Sequence, residues 1–251
     1  MTRLFVPWDA GALALGSSVV ERAIIAGGHR RGRSLDIVRT GSRGLFWLEP
    51  MIEVETSAGR IAYGPITADD VEGLFEAGWL DGAPHRLCLG PPQDIPFLKR
   101  QTRFTFARCG IIDRLSLADY RANRGMRGLD RALSLGPAAI VATVTASGLR
   151  GRGGAGFPTG IKWKTTADAT AAQKYIVCNA DEGDSGTYAD RMLMEGDPFT
   201  LIEGMAIAGI AVGATKGFVY VRSEYPHAIR TLGRAIEIAR AERLLGPGIG
   251  G

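Results

Sequence analysis

The sequence is short of the residues that build metal sites and nucleic-acid surfaces. Its 251 residues include only three cysteines and three histidines. Cys88, Cys109 and Cys178 are too dispersed for a disulfide framework or a zinc pattern, and His29, His85 and His227 are equally scattered. That predicts no metal site and a reducing, cytoplasmic setting. Lysine is scarce, five residues against 25 arginines, and the net charge is only +4. A nucleic-acid binder gathers its charge on one face with aromatics between. Here the one dense basic run, Arg30-Arg31-Gly32-Arg33, suits a helix C-terminus instead. No run reaches the roughly 18 apolar residues of a membrane span, and Met1-Thr2-Arg3 followed by a strand-like run lacks a signal-peptide layout. With 45% apolar residues, the chain has material for one large domain or two small ones.

Glycine is what the chain has in plenty, and it concentrates in Gly148–Lys162, GLRGRGGAGFPTGIK, where six of fifteen residues are glycine. Such a run lets inward-turned N–H groups form an anion-binding concavity, to which a following helix N-terminus adds. Arg150, Arg152 and Lys162 put positive charge beside those donors. A Walker A loop is a poor match, because Ile161 separates Gly160 from Lys162 and Trp163 stands where a Mg²⁺-binding hydroxyl belongs. Gly151-x-Gly153-x-x-Gly156 fits the letters of a dinucleotide fingerprint, a weak match by itself. A flexible Arg-Gly linker is the plain alternative, against which Phe157-Pro158 and Ile161-x-Trp163 supply apolar anchors. The loop reads as a phosphate site.

Along the chain, Leu4–Val6 and Leu35–Val38 read as strands, with a helix from Ser17 to Ala26 between them that Gly27-Gly28 should stop. Ile52–Thr56 and Arg60–Tyr63 read as a hairpin, and Thr67 as the N-cap of a helix to Glu76. This order suggests a small thioredoxin-like layer. Pro91, Pro92 and Pro96 open a connecting stretch, Ser116 starts a short helix, and Leu129–Leu135 and Ala138–Ala146 are helical candidates. Beyond the loop, Lys174–Cys178 is an apolar strand that runs into Asn179-Ala180-Asp181-Glu182-Gly183-Asp184-Ser185-Gly186. Open α/β sheets bind ligands at such strand ends. One segment offers N–H groups and cations, the other Asn and carboxylates for hydroxyl and amide donors. Phe199–Ala211 reads as a buried helix, Gly217–Val221 as a strand and His227–Leu245 as an amphipathic helix.

Gly41–Phe46, Glu49-Pro50, Tyr63-Gly64 and Thr67–Val71 resemble the thioredoxin-like [2Fe–2S] ferredoxin module found beside complex I flavoproteins. In that family a Cys-x3-Cys pair occupies the positions of Ser42 and Phe46, neither of which ligates iron. The resemblance therefore implies a module without a cluster, structural or docking in role. The glycine loop and the Asn179–Gly186 turn resemble the FMN/NADH-binding subunit of complex I and its soluble relatives. The wording of Asn179–Gly186, with Met194–Phe199 and Arg222-Ser223-Glu224-Tyr225-Pro226, is similar to the β subunit of NAD-dependent molybdenum formate dehydrogenases.

The resemblance implies an α/β chain of residues 1–90 as a thioredoxin-like module, 91–135 as linker and helices, and 136–251 as the N-terminal part of an FMN/NAD-binding domain. By the same resemblance, Gly151, Arg152, Gly153, Gly154 and Lys162 hold the FMN phosphate and ribityl region, and Asn179 and Asp181 the flavin side of the pocket. Glu182 lies at the flavin–nicotinamide contact, with Asp184 as a second catalytic carboxylate, and Phe157 stacks on the NAD adenine. Asp184 stands where complex I has Glu, and Thr165 where it has a second stacking aromatic. The cofactors implied are FMN and NAD, with no iron–sulfur cluster in this chain. The activity implied is hydride transfer between NAD and FMN, feeding iron–sulfur centres of partners. Those partners are an iron–sulfur/molybdopterin catalytic subunit and a small thioredoxin-like ferredoxin subunit.

The family's Gly-Glu-Glu and Cys-x2-Cys-x2-Cys…Cys motifs do not occur before the chain stops at Gly251. The expectation is a truncated domain with one edge of its flavin pocket missing. The alternatives are a non-catalytic binding or assembly module, and the equivalent subunit of an NAD-reducing hydrogenase. A phosphate-ligand enzyme such as a kinase lacks the motifs it needs.

Overall fold

Short apolar strand runs and helices share the first ninety positions, and the computed structural model joins the strands into one mixed sheet. It describes residues 1–249 apart from Ser185 and Gly248, so Ser185 of the acidic turn and Gly248, Gly250 and Gly251 at the end lie outside the described residues. Two compact units result. One comprises Met1–Asp119 with Arg191–Asp197, the other Tyr120–Asp190 with Pro198–Gly251.

In the first unit, β1 (Thr2–Pro7) leads through α1 (Ala10–Ala14) and α2 (Ser17–Arg30) to β2 (Leu35–Thr40). The hairpin β3 (Ile52–Thr56) and β4 (Gly59–Tyr63) follows, then α3 (Asp70–Glu76), β5 (Cys88–Gly90) and α4 (Pro96–Lys99). The sheet order is β2-β1-β3-β4-β5, with β1 parallel to β2 and antiparallel to β3. This is the thioredoxin-like arrangement expected, extended by β5, a three-residue strand the sequence pattern does not announce. Leu4, Val6, Ile24, Ile52, Val54, Leu74 and Trp79 make the core, where Trp79 meets Tyr63 edge-on at 5.6 Å.

Two local expectations change. Helix α2 does not stop at Gly27-Gly28 but runs through both to Arg30. A Cβ at Gly27 would sit 2.6 Å from the Phe75 ring, and one at Gly28 2.6 Å from Leu35, so these glycines serve close packing rather than termination. Helix α3 begins at Asp70, three residues after Thr67. The Asp70 carboxylate accepts from both the backbone N (2.9 Å) and Oγ1 (2.6 Å) of Thr67. Thr67 thus donates to the acid at the start of α3, and Asp69 stands at the N-cap with no side-chain cap bond.

Around Ser42 the interior is polar. Ser42 hydrogen-bonds to Glu49 at 2.6 Å and accepts from the Gly44 N–H at 2.9 Å. Phe46 packs on Gly11, where a Cβ would meet its ring at 2.5 Å. Glu53 is gripped by Arg43 (2.5 Å) and Arg60 (3.3 Å). The later segment of this unit contributes Glu195, which accepts from the Ala10 N–H at 2.5 Å, and Asp197, which pairs with Arg108 at 2.8 Å.

The second unit takes up the latter half of α5 (Leu117–Ala122), then α6 (Arg127–Ser134), α7 (Pro137–Ala146) and α8 (Thr159–Asp168). Next come β6 (Tyr175–Ala180), the first two residues of α9 (Ala189–Gly196), α10 (Pro198–Val212), β7 (Lys216–Val221) and α11 (Pro226–Ala241). Strands β6 and β7 pair in parallel, Tyr175 opposite Lys216 through to Ala180 opposite Val221. Apolar residues of α7 and α10, among them Ile140, Val141, Ala211 and Val212, form the core behind them. Buried Glu203 on α10 accepts from Tyr120 Oη (2.5 Å) and from the Met126 (2.8 Å) and Leu129 (3.0 Å) N–H groups, which ties α10 to the start of α6. Among the described residues no helix is long and apolar enough to cross a membrane, and no group of three or more His, Cys, Asp or Glu could hold a metal ion.

Candidate functional site

The glycine loop closes as a tight excursion between α7 and α8. Gly151 N donates to Phe157 O at 2.9 Å and Thr159 N to Leu149 O at 2.9 Å, so the two ends of the loop are stitched together. Arg150 is spent inside it, donating to Gly156 O at 2.8 Å. Gly154 and Gly156 take φ of +135° and +60°, values that L side chains rarely adopt. A Cβ built on Gly153, Gly154 or Gly156 would meet nothing within 4 Å, so the backbone here borders open space. Gly160 is different. Its Cβ would lie 2.6 Å from the Cα of Thr145, because α8 starts in contact with α7.

Arg152 and Lys162 are exposed, and among the described residues neither pairs with a carboxylate. Lys162 sits in the first turn of α8. The donor set is therefore glycine backbone, two uncommitted cations and the positive end of a ten-residue helix, a combination that fits a phosphate. Phe157 is half exposed beside it.

The second group of residues lies where β6 and β7 end. Register places Ala180 opposite Val221, so Asp181 and Arg222 leave the sheet side by side. Asn179 Oδ1 accepts from the Asp181 N–H at 3.2 Å, and Asp184 Oδ1 from the Gly186 N–H at 3.1 Å. Glu182 is buried, and its carboxylate accepts from the Ala189 (2.7 Å) and Asp190 (3.1 Å) N–H groups. It thereby satisfies the first donors of α9, as an anion at a helix N-terminus does. Burial and the neighbouring Glu182 hold the Asp190 carboxyl above its ordinary value, and burial raises the Cys178 thiol.

The structure gathers Asn179, Asp181, Glu182 and Asp184 at one strand end, and Gly151, Arg152, Gly153, Gly154, Phe157 and Lys162 on one loop. Among the described residues, none of those six hydrogen-bonds to or pairs with Asn179, Asp181 or Asp184. Sequence reasoning did not place Arg222 and Tyr225 in the site. Arg222 pairs with Asp181 at 3.3 Å and donates to Gly183 O at 2.8 Å, and buried Tyr225 donates its hydroxyl to Glu182 O at 2.5 Å. No sequence signal marked either, since it is the parallel register of β7 on β6 that brings them to the turn.

Residues 144–245 match the family model described as the Nuo51 FMN-binding domain. The chain is 54% identical over 153 residues to the NADP-reducing hydrogenase subunit HndC of Solidesulfovibrio fructosivorans, covering 61% of this chain and 31% of that one. It is 50% identical over 134 residues to an NADH-quinone oxidoreductase subunit of Rhizobium meliloti, covering 53% and 32%. With the NAD-reducing hydrogenase HoxS subunit alpha of Cupriavidus necator it shares 41% over 162 residues, covering 64% and 26%. The chain thus spans about a third or less of the length of these relatives.

Proposed function

We propose that the chain belongs, through residues 144–245, to the complex I 51K FMN-flavoprotein family, that it binds FMN and NAD(H), and that it serves in a diaphorase-type subunit. FMN, when bound, supplies hydride acceptance together with single-electron release. The observation that carries the proposal is the pair of uncommitted cations, Arg152 and Lys162, set against an open glycine backbone at the start of α8.

In this reading the loop residues Gly151, Arg152, Gly153, Gly154 and Lys162 hold the phosphate end of the flavin. Asn179 and Asp181 take its polar edge, and Phe157 offers a face to the adenine of NAD. Glu182 and Asp184 are assigned to the flavin–nicotinamide contact. Glu182 does so from a fixed position, since its carboxylate is anchored on α9 and its carbonyl on Tyr225. Residues 136–251 form the nucleotide-binding part, and residues 1–90 a cluster-free docking module. The electrons pass to iron–sulfur centres of partner subunits, a small thioredoxin-like ferredoxin among them. The relatives named above are hydrogenase and quinone-oxidoreductase subunits. Coupling to formate, through a molybdopterin subunit, is the finer part of the proposal and rests on the residue pattern of Met194–Phe199 and Arg222–Pro226.

A second reading is favoured by one feature. Tyr175, Val177, Phe218 and Tyr220 form an exposed face on β6 and β7, whereas parallel sheets are ordinarily covered on both sides. A binding or assembly module, working once that face is covered, accounts for it. Titrating FMN and riboflavin into the purified chain by flavin fluorescence, followed by NADH–ferricyanide assay, separates the readings. Phosphate-dependent FMN binding with NADH oxidation supports the first. A folded chain that binds neither supports the second.

A further inference from the structure

We propose that Arg222 and Tyr225 are positioning residues that strap the 181–184 turn at the end of β6 and set its charge for the flavin. The inference rests on the reading of this turn as part of an FMN site. Three carboxylates, Asp181, Glu182 and Asp184, crowd into four residues of this turn. An anionic, phosphorylated ligand approaching them meets repulsion unless the charge is locally offset. Glu182 is offset by the N-terminus of α9. Asp181 is offset by Arg222, whose guanidinium also holds the carbonyl of Gly183. Glu224 and Asp181 in turn keep the Arg222 guanidinium above its ordinary value, so its charge is constant.

The strap is delivered by the sheet. Parallel register puts the first residue after β7 beside the first after β6. Three residues on, Tyr225 is buried and accepts the first helical hydrogen bond of α11 from Ile229 at 3.0 Å, so its phenol is carried on a rigid element. That phenol fixes the carbonyl of Glu182, while the carboxylate of Glu182 is fixed by α9. Glu182 is thus held at both ends, and Asp181 and Gly183 on either side of it are held by Arg222. Sites held this way on helices and strands keep their geometry better than free loops.

The test measures FMN affinity, the midpoint potential of bound flavin and thermal melting for the full chain, Arg222→Gln, Tyr225→Phe and Arg222→Gln combined with Asp181→Asn. Arg222→Gln is expected to weaken FMN binding about tenfold, the loss of one charge-assisted contact, and to lower the flavin potential by exposing the Asp181 charge. Adding Asp181→Asn should restore most of the potential, a coupling that a purely structural arginine would not show. Tyr225→Phe should weaken FMN binding about fivefold through one lost hydrogen bond. If Arg222→Gln and Tyr225→Phe lower the melting temperature yet leave FMN affinity and potential unchanged, the strap is structural only and the proposal fails. A folded wild-type chain that binds no FMN overturns the flavin reading, and this proposal with it.

Discussion

Ser42 Oγ and Glu49 Oε1 lie 2.6 Å apart in a hydrogen bond, and both side chains are buried. Burial pushes the Glu49 carboxyl up to about 8, against the pull of its bonds to Ser42 and the Met51 N–H, and the nearby Asp9 adds to the rise. Burial likewise lifts Glu195 of the same unit to about 7. Both carboxyls are therefore protonated in the fold over a range where the unfolded chain has lost those protons. Between the unfolded value near 4.5 and the folded values of about 7 and 8, the native state binds more protons, so stability falls as pH rises. Thermal melts should show a lower midpoint at pH 8.5 than at pH 5.5. Glu49→Gln should flatten that slope and gain roughly 1–2 kcal/mol at the alkaline end. A melting midpoint that climbs from pH 5.5 to 8.5 would contradict the assignment.

Lys162→Ala should weaken FMN binding about 10- to 150-fold, equivalent to roughly 1.5–3 kcal/mol for a charge-assisted contact with phosphate. Riboflavin, which has no phosphate, should bind both proteins equally weakly. Equal loss of FMN and riboflavin would mean that Lys162 supports the loop and not the ligand.

Gly160→Ala and Gly153→Ala should behave oppositely. The first forces a methyl group onto the backbone of Thr145 and should cost about 1–3 kcal/mol in urea unfolding. The second points into open space and should leave unfolding within roughly 0.5 kcal/mol, while reducing FMN affinity by narrowing the cradle. Similar unfolding midpoints for the two would show that α7 and α8 yield at their contact.

Iron and acid-labile sulfide in anaerobically purified protein should be near zero. At the Ser42 and Phe46 positions a hydroxyl is bonded to Glu49 and a phenyl ring packs on Gly11, so no thiolate faces there. A stoichiometric [2Fe–2S] electron paramagnetic resonance signal would overturn the cluster-free account of this unit.

Much of the fold was legible because its signals are local. The alternation in Ile52–Tyr63 announces the β3–β4 hairpin, and the apolar run at Phe199–Ala211 announces α10. The glycine loop declares its chemistry by composition, since φ > 0 and close backbone approach are properties of single residues. Long-range contacts decided the rest. Gly27 and Gly28 look like a helix stop until the Phe75 ring and Leu35 are seen to fill the space a Cβ would need. Strand β5 has three residues and exists only because β4 offers its edge. Glu182 reads as a ligand carboxylate, yet seven residues later α9 begins and its bare N–H groups claim that carboxylate. Arg222 and Tyr225 reach the turn solely through the register of β6 on β7, which pairs residues some forty positions apart. Backbone conformation and periodicity are written residue by residue and can be read in the sequence. Partners distant in the chain are chosen by packing and register, which only the tertiary structure decides.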